Sequence, residues 1–284
     1  MSPSNTTTIV LDGLCFPEGP RWHDGRLYFS DQHDHRVVAM SPSGAAETIV
    51  EVPQQPSGLG WLPDGRMLVV SMLDRRVLRL EDGPLVEHAD LSAFAPAPCN
   101  DMVVDAHGRA YVGHFGFDMY GGESPKDASL LLVQPDGTVT VAAAPMQFPN
   151  GTVITPDGAT LIVGESMGGR LTAFTVTSDG SLTDRRLFAQ LQGAVPDGIC
   201  LDAEGAVWIA CPLSGRCLRI KEGGEVLDEV EGGQAGAFAC MLGGPDRRTL
   251  YICTAPTHIP DECCAQRAGR IEMVEVDVPG AGLP

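Results

Sequence analysis

The segment PDGATLIVGES at residues 156–166 joins a turn sequence to a run of apolar and β-branched residues that ends in polar ones. Asp-Gly favours a tight turn because glycine adopts the positive φ that such turns require, and the run that follows has the composition of a buried strand. Related segments occur five more times: HDGRLYFSDQ at 23–32, PDGRMLVVSM at 63–72, AHGRAYVGHF at 106–115, AEGAVWIACP at 203–212 and PDRRTLYICTA at 245–255.

Each repeat has a turn residue before its strand, and these residues are spaced 40 to 50 positions apart, about 44 on average. This spacing is typical of one four-stranded propeller blade. No helical segment of useful length interrupts the repeats, so doubly wound and TIM-barrel folds lack their helices. We predict an all-β fold, a six-bladed β-propeller with four-stranded antiparallel blades, as a single domain over residues 1–284. The turn residues are Asp24, Asp64, His107, Asp157, Glu204 and Asp246.

The charge of the chain restricts its partners. It has 37 acidic and 19 basic side chains and a formal net charge of -18, which repels nucleic-acid backbones and anionic lipid surfaces. The first residues lack a basic segment followed by an apolar one, and no stretch approaches the roughly 18 apolar residues that span a bilayer. We expect a cytoplasmic protein without nucleic-acid or membrane partners. The sequence does not indicate its oligomeric state.

Nine cysteines occur without the Cys-x-x-Cys spacing of a zinc site. We predict that most are reduced and buried as small apolar side chains. Cys263 and Cys264 are adjacent in what we predict to be an irregular stretch, and the sequence leaves their role open.

A mostly polar position recurs six or seven residues before each turn. Propeller symmetry places equivalent positions of successive blades around the central axis, so these side chains are expected to converge. Most follow a proline, which restricts the start of the inner strand, and precede a glycine, which lets neighbouring strands approach closely. The ring consists of Glu18, Ser57, Asn100, Asn150, Asp197 and Ala239.

The residues seven or eight positions after each turn should return to the same end of the hairpin and support the ring. We expect Glu165 to lie beside Asn150 and His114 to lie beside Asn100. Asp31 has the corresponding position in the first repeat. Glu165 and Asp31 are therefore predicted supports of the ring.

Glu18, Asn150 and Asp197 combine two carboxylates with one amide carbonyl, which are hard oxygen donors for a divalent cation. Asparagine and aspartate are also common in turns, but their recurrence at one position of the repeat favours a metal site. We predict one divalent metal ion on the axis. Calcium is the first candidate, and zinc, manganese or magnesium can use the same donors.

Five motifs occur in order along the chain: Phe16-Pro-Glu-Gly-Pro-Arg-Trp22, Pro56-Ser-Gly58, Asn100-Asp101, Phe148-Pro-Asn-Gly151 and Pro196-Asp-Gly198. Together they resemble the motifs of the gluconolactonase and regucalcin-like (senescence marker protein) family over essentially the whole chain. The resemblance implies a six-bladed propeller that holds calcium or zinc and acts on sugar lactones and related esters. It also implies Glu18, Asn150 and Asp197 as metal ligands, with Asn100 near the metal-bound water or the substrate.

One position departs from the family, whose sugar-lactone members carry an arginine two residues before the asparagine, where this chain has Pro98. The longest spacing between repeats contains residues 116–127, which we predict to be a loop on the binding face and a candidate lid. The aromatic side chains around its start favour a substrate less polar than a sugar. They are His114, Phe115, Phe117 and Tyr120.

The predicted reaction is hydrolysis of a small lactone by activated water with metal polarisation of the carbonyl. Asp197 is the first candidate for the general base and His114 the second, because an imidazole titrates near neutral pH. Asn100, Asp118 and Ser57 are the predicted substrate contacts.

Two other functions stay open at this point. One is a phosphotriesterase or organofluorophosphatase on the same metal propeller, and the other is a non-catalytic metal-binding propeller. The segment 164–168 fits the Gly-x-Ser-x-Gly pattern of serine hydrolases, but it lacks the helix that follows the nucleophile in those enzymes. We interpret that match as a coincidence.

Overall fold

The computed structural model describes residues 6–233 and 236–282. Its strands form six four-stranded antiparallel sheets, which confirms the predicted six-bladed propeller. The first strand of the described residues is β1 (Thr8–Leu14). Blades 1 to 3 then follow as β2 (Pro17–His23), β3 (Arg26–Asp31), β4 (Arg36–Met40) and β5 (Ala46–Glu51); β6 (Pro56–Trp61), β7 (Met67–Ser71), β8 (Arg76–Leu80) and β9 (Leu85–Asp90); and β10 (Cys99–Val104), β11 (Ala110–His114), β12 (Ala128–Val133) and β13 (Val139–Met146).

Blades 4 and 5 repeat the same order of four strands. They are β14 (Pro149–Ile154), β15 (Thr160–Glu165), β16 (Arg170–Val176) and β17 (Leu182–Gln190), then β18 (Ile199–Leu201), β19 (Val207–Cys211), β20 (Arg216–Ile220) and β21 (Val226–Glu231). Blade 6 has β22 (Gly236–Gly243), β23 (Thr249–Ala255) and β24 (Gly269–Glu275), and its outer strand is β1. Pairing of β1 with β24 joins the two ends of the chain and closes the ring of blades.

The predicted turn residues all lie between the first and second strands of a blade, counted from the axis. In blade 4, Asp157 accepts hydrogen bonds from the Ala159 N–H at 3.0 Å and from the Thr155 hydroxyl at 2.6 Å, and Gly158 has a φ of 70°. Side-chain acceptors of this kind stabilise a turn locally, which is why the turns could be found without knowledge of the fold.

The innermost strands of successive blades contact each other around the axis. The Gly151 N–H of blade 4 donates to the Asp197 carbonyl of blade 5 at 3.1 Å. A Cβ on Gly151 would lie 2.4 Å from the Ile199 nitrogen, so only glycine allows this approach. The close packing predicted for the residues after the ring is confirmed here, and it fixes the backbone that carries Asn150 and Asp197.

The core lies between adjacent blades. One cluster contains Trp22 of blade 1, Trp208 of blade 5 and Tyr251 of blade 6, all of them buried. The Trp22 and Tyr251 rings stack with their centroids 5.7 Å apart. Burying one large apolar side chain stabilises a fold by roughly 1.5–3 kcal/mol, so contacts between blades supply the rigidity on which a site at the axis depends.

In the part of the chain that the structure describes, two short helices interrupt the strand pattern, the 3-10 helix Gln32–Asp34 and α1 (Pro260–Gln266). Cys263 and Cys264 lie in α1, so the prediction of an irregular stretch was wrong; Pro260 can begin a helix because the first helical N–H needs no partner within it. All nine cysteines are free, and all but Cys264 are buried, as predicted. Within the described ranges no helix is long and apolar enough to cross a membrane.

Candidate active site

A cavity of about 180 Å³ lies where the innermost strands begin. Every blade except the second contributes to its wall. The lining residues are Phe16, Glu18, Gln32, Asn100, Phe115, Met119, Tyr120, Phe148, Asn150, Ser166, Met167, Val195, Asp197, Pro212, Leu213, Phe238 and His258. The predicted metal ligands Glu18, Asn150 and Asp197 therefore share one cavity, together with Asn100.

Hydrogen bonds orient the Asn150 amide within this cavity. Its Nδ2 donates to the Asp197 carboxylate and to the Ser166 hydroxyl oxygen, the latter at 3.2 Å. The Ser166 hydroxyl in turn donates to the Pro196 carbonyl at 2.7 Å. Because the amide nitrogen is used within the protein, the Asn150 side-chain oxygen is the atom available to a cation or a substrate.

The two carboxylates of the cavity repel each other. Burial and the nearby Asp197 charge raise the pKa of Glu18 well above its usual range, although the Gly19 N–H donates to its Oε2 at 2.8 Å. Burial also raises the pKa of Asp197, partly offset by the hydrogen bond from Asn150. A divalent cation would neutralise both groups, and two carboxylates with an amide oxygen are the donor types that calcium prefers. The residues present therefore fit the predicted metal.

Among the described residues, no three histidine, cysteine, aspartate or glutamate side chains gather as a metal-binding group. The set of Glu18, Asn150 and Asp197 has only two such residues and depends on an amide for the third donor. Ligation by these three stays a prediction.

Asn100 carries a buried polar atom without a protein partner. Its Nδ2 is shielded from solvent and makes no hydrogen bond in the part of the chain that the structure describes. An unpaired buried donor costs roughly 1–3 kcal/mol, so its position on the cavity wall points to a bound group that accepts from it. Contact of Asn100 with water or substrate stays a prediction.

Asp31 and Glu165 each accept a hydrogen bond from the backbone of a segment that leads into a ring strand. Asp31 accepts from the Phe16 N–H at 2.9 Å, and Glu165 accepts from the Gln147 N–H at 2.7 Å. Both carboxylates are fully buried and paired with arginines. The bond to Gln147 fixes the backbone next to Phe148, whose φ of 61° is unusual for a bulky residue and requires such support.

The expected pairing was wrong by one residue. Glu165 lies opposite Pro149 rather than Asn150, and His114 lies opposite Cys99 rather than Asn100. In both blades the register shifts just after this pair, because the ring residue belongs to a bulge. A support role for Asp31 and Glu165 thus acts through the backbone and stays a prediction.

His114 is not among the residues that line the cavity. Its ring is buried, and Nε2 accepts from the Ser129 N–H at 3.0 Å and lies 2.9 Å from the Ser129 hydroxyl oxygen. Burial lowers the pKa of His114 to about 4. These contacts describe a neutral imidazole within blade 3, and its predicted catalytic role depends on a movement toward the cavity.

We expect His114→Asn to retain kcat/KM within about 10-fold, because a group outside the cavity and neutral above pH 5 supplies little acid-base catalysis. The folded pKa of His114 lies below the ordinary value of 6.5, so the contribution of its neutral ring to stability is complete above pH 6.5 and falls as the pH drops toward 4. Urea unfolding between pH 4 and 8 should show a weaker loss toward acid in the variant. A loss of kcat/KM of more than about 100-fold with unchanged unfolding would instead establish His114 as a catalytic group.

Comparison with known proteins identifies the family of this chain. Residues 16–256 match the family described as the SMP-30/Gluconolactonase/LRE-like region. The chain belongs to this family. It is 28% identical to the pentonolactonase XacC of Haloferax volcanii over 98% of this chain and 97% of that protein. It is 27% identical to a 6-deoxy-6-sulfogluconolactonase of Pseudomonas putida, over 97% of this chain and 96% of that protein.

The fold is shared with a solved member of the family. Regucalcin from Agrobacterium tumefaciens, described as a calcium-binding protein, superposes with a TM-score of 0.83 at 22% identity, covering 98% of this chain and 96% of that chain. The match to the family model confirms the resemblance of the sequence motifs to this family.

Two residues of this chain that we predict to contact the substrate, Ser57 and Asp118, do not line the cavity. Ser57 is buried and its carbonyl accepts from the Ser30 hydroxyl at 2.6 Å, while Asp118 is exposed and accepts from the Gly121 N–H at 2.8 Å. The loop that holds Asp118 nevertheless contributes Met119 and Tyr120 to the wall. Contact of Ser57 or Asp118 with the substrate stays a prediction. It requires the loop or the substrate to move.

Sequence reasoning assigned Tyr120 to the binding face but did not predict its contact on the other side of the cavity. The Tyr120 hydroxyl donates to the His258 carbonyl at 3.3 Å, which joins the blade 3 loop to the segment before α1. Ser166, part of the coincidental serine hydrolase pattern, lines the cavity, but its hydroxyl serves Pro196 and Asn150. Tyr120 lies in a loop that the other repeats lack, so symmetry gave no signal for its contact. Ser166 ends its repeat segment as Gln32, Phe115 and Pro212 end theirs, and all four line the cavity, so symmetry did offer a signal there.

Proposed function

We propose that the protein hydrolyses a small lactone and that a divalent cation held by Glu18, Asn150 and Asp197 is required. The observation that carries the proposal is the arrival of these three oxygen donors, from blades 1, 4 and 5, on one buried cavity. Calcium is the first candidate, with zinc, manganese and magnesium as alternatives for the same donors.

The comparisons support both parts of the proposal. Two relatives matched over nearly their whole length are named as lactonases, one for pentonolactones and one for a sulfogluconolactone. A structural relative is described as calcium-binding. Family membership supports lactone hydrolysis, while the need for a metal is our inference from the donor set.

The protein's own groups then have separate tasks. Asp197, fixed by the Asn150 amide, accepts the proton of the attacking water at its carboxylate while the water oxygen bonds to the carbonyl carbon. The ring C–O bond then breaks, and Asp197 returns the proton to the ring oxygen that leaves. Asn100 donates from Nδ2 to the substrate or the water, which satisfies an otherwise unpaired buried group. A bound divalent cation would polarise the lactone carbonyl and stabilise negative charge that develops on its oxygen.

Chelation tests the proposal. We expect kcat/KM for lactone hydrolysis to be lost after dialysis against a chelator and to return with added calcium or another divalent ion. Glu18→Gln should require more metal for half-maximal activity, by about 10- to 100-fold, because one charged donor is lost. Glu47→Gln, on the exposed outer strand of the same blade, should behave as wild type. Full lactone hydrolysis by metal-free protein would contradict the metal requirement.

A further inference from the structure

The walls of the cavity are apolar on two opposite sides. On one side Phe16 and Phe238 meet edge to face with ring centroids 4.7 Å apart. On the other side Phe115 and Phe148 stack at 4.6 Å. All four phenylalanines are buried and line the cavity, so a bound molecule lies between two aromatic surfaces.

Few polar groups on the wall are available to substrate hydroxyls. The lining has no lysine or arginine. The Ser166 hydroxyl is bonded to Pro196, and the Tyr120 hydroxyl to the His258 carbonyl. Among the described residues, the lining offers only Gln32 and His258 apart from the three predicted metal ligands and Asn100.

The rim of the cavity is also apolar, and it is open to solvent. Leu213 is 85% exposed, Met167 52% and Tyr120 42%, and all three line the cavity. Exposed apolar side chains grouped around a binding cavity are typical of contacts with a ligand, whereas isolated ones carry no such meaning.

We propose that the substrate is a five- or six-membered lactone with an apolar substituent, such as a short alkyl chain. The inference rests on the proposed lactonase function and specifies its substrate. The lactone ring lies between the phenylalanine pairs with its carbonyl toward Glu18, Asn150 and Asp197. Its substituent extends between Met167 and Leu213 toward solvent.

The size and polarity of the cavity carry this choice. A volume of about 180 Å³ is below the roughly 300–1,000 Å³ of pockets for larger ligands, so the cavity accepts a small ring. Each ring hydroxyl of a sugar lactone would lose its water and face a phenylalanine instead, which weakens its binding. An alkyl substituent has no hydrogen bonds to water that it could lose there, and it gains apolar contacts along the rim.

Matched substrates test the proposal with the calcium-loaded enzyme. We expect kcat/KM for δ-octanolactone to exceed that for D-glucono-δ-lactone by about 100-fold or more, and γ-octanolactone to exceed D-xylono-γ-lactone in the same way. Equal or faster hydrolysis of the sugar lactones would overturn this substrate class and leave the lactonase proposal intact. Failure to hydrolyse any of the four would overturn the lactonase proposal and this inference with it.

Rim variants test whether the assigned residues carry the preference. In Met167→Ser/Leu213→Ser, the ratio of kcat/KM for γ-octanolactone to that for γ-butyrolactone, which has no substituent, should fall about 10-fold. Leu73→Ser/Leu187→Ser changes two similarly exposed apolar residues that do not line the cavity and should keep the ratio. An unchanged ratio in the rim variant would overturn the assigned path of the substituent.

Discussion

Asp197→Asn is expected to lower kcat/KM for lactone hydrolysis by about 1,000-fold, because general-base catalysis contributes roughly 100- to 10,000-fold and a charged metal donor is lost as well. Asparagine has nearly the same shape, so the backbone bond from Gly151 to the residue 197 carbonyl can persist. Steady-state kinetics with saturating calcium, together with the metal content of the purified variant, measures the two losses separately.

A control at the other end of β18, which begins two residues after Asp197, separates chemistry from folding. Asp202 follows β18 at the end away from the cavity, is buried, and pairs with Arg219 at 2.6 Å. Asp202→Asn should lower the free energy of unfolding yet keep kcat/KM near the wild-type value. Asp197→Asn should lower kcat/KM and keep the free energy of unfolding near the wild-type value. If Asp197→Asn retained more than about a tenth of wild-type kcat/KM, Asp197 would not be the base.

The six turns explain why the sequence could predict the fold. The six turns depend on nearby residues such as Asp157 and Gly158, so they leave a signature that recurs with the blades. Positions equivalent under that repeat share one axis, so the sequence alone predicts that Glu18, Asn150 and Asp197 lie together.

The bulges at the ring were not predictable from the spacing. One extra residue in the inner strand displaces the partner by one position, so Glu165 faces Pro149. No count of residues between turns reveals on which strand such an insertion lies. The supports therefore act on the backbone before the ring strand and not beside Asn150.

The rest of the cavity depends on contacts between parts of the chain that no repeat relates. Tyr120 meets the His258 carbonyl, and Arg21 meets Asp101 across two blades. Each pair joins residues at unrelated positions of their blades, so symmetry does not predict them. Tertiary packing decides these contacts, and only the structure shows them.

Arg21→Met is expected to lower the free energy of unfolding by about 3–5 kcal/mol, the typical effect of leaving one member of a buried ion pair alone. The Arg21 guanidinium lies 2.7 Å from the Asp101 carboxylate and also donates to the Met102 and Pro20 carbonyls at 2.5 and 2.8 Å. Both side chains of the pair are less than a tenth exposed. Urea unfolding at pH 7 measures the loss.

Two comparisons define the cause of that loss. Arg21→Met/Asp101→Asn removes both charges and should recover much of the stability, because an uncompensated buried carboxylate is the main cost. Arg26→Met breaks the pair with Glu47, which has the same 2.7 Å distance but is exposed, and should cost less than about 1 kcal/mol. Equal losses in Arg21→Met and Arg26→Met would show that the buried charge is not the reason.

The same variant links stability to the cavity. The Arg21 charge opposes the repulsion that Asp101 and Asp197 exert on Glu18, so its removal leaves these carboxylates without a buried cation nearby. A divalent ion bound at Glu18 and Asp197 would then replace part of the lost attraction, and a ligand that binds only the folded state adds to its stability. Calcium should therefore raise the urea midpoint of Arg21→Met more than that of the wild type. An equal rise in both proteins would place the ion outside the reach of Arg21, and no rise in either would contradict the proposed metal site.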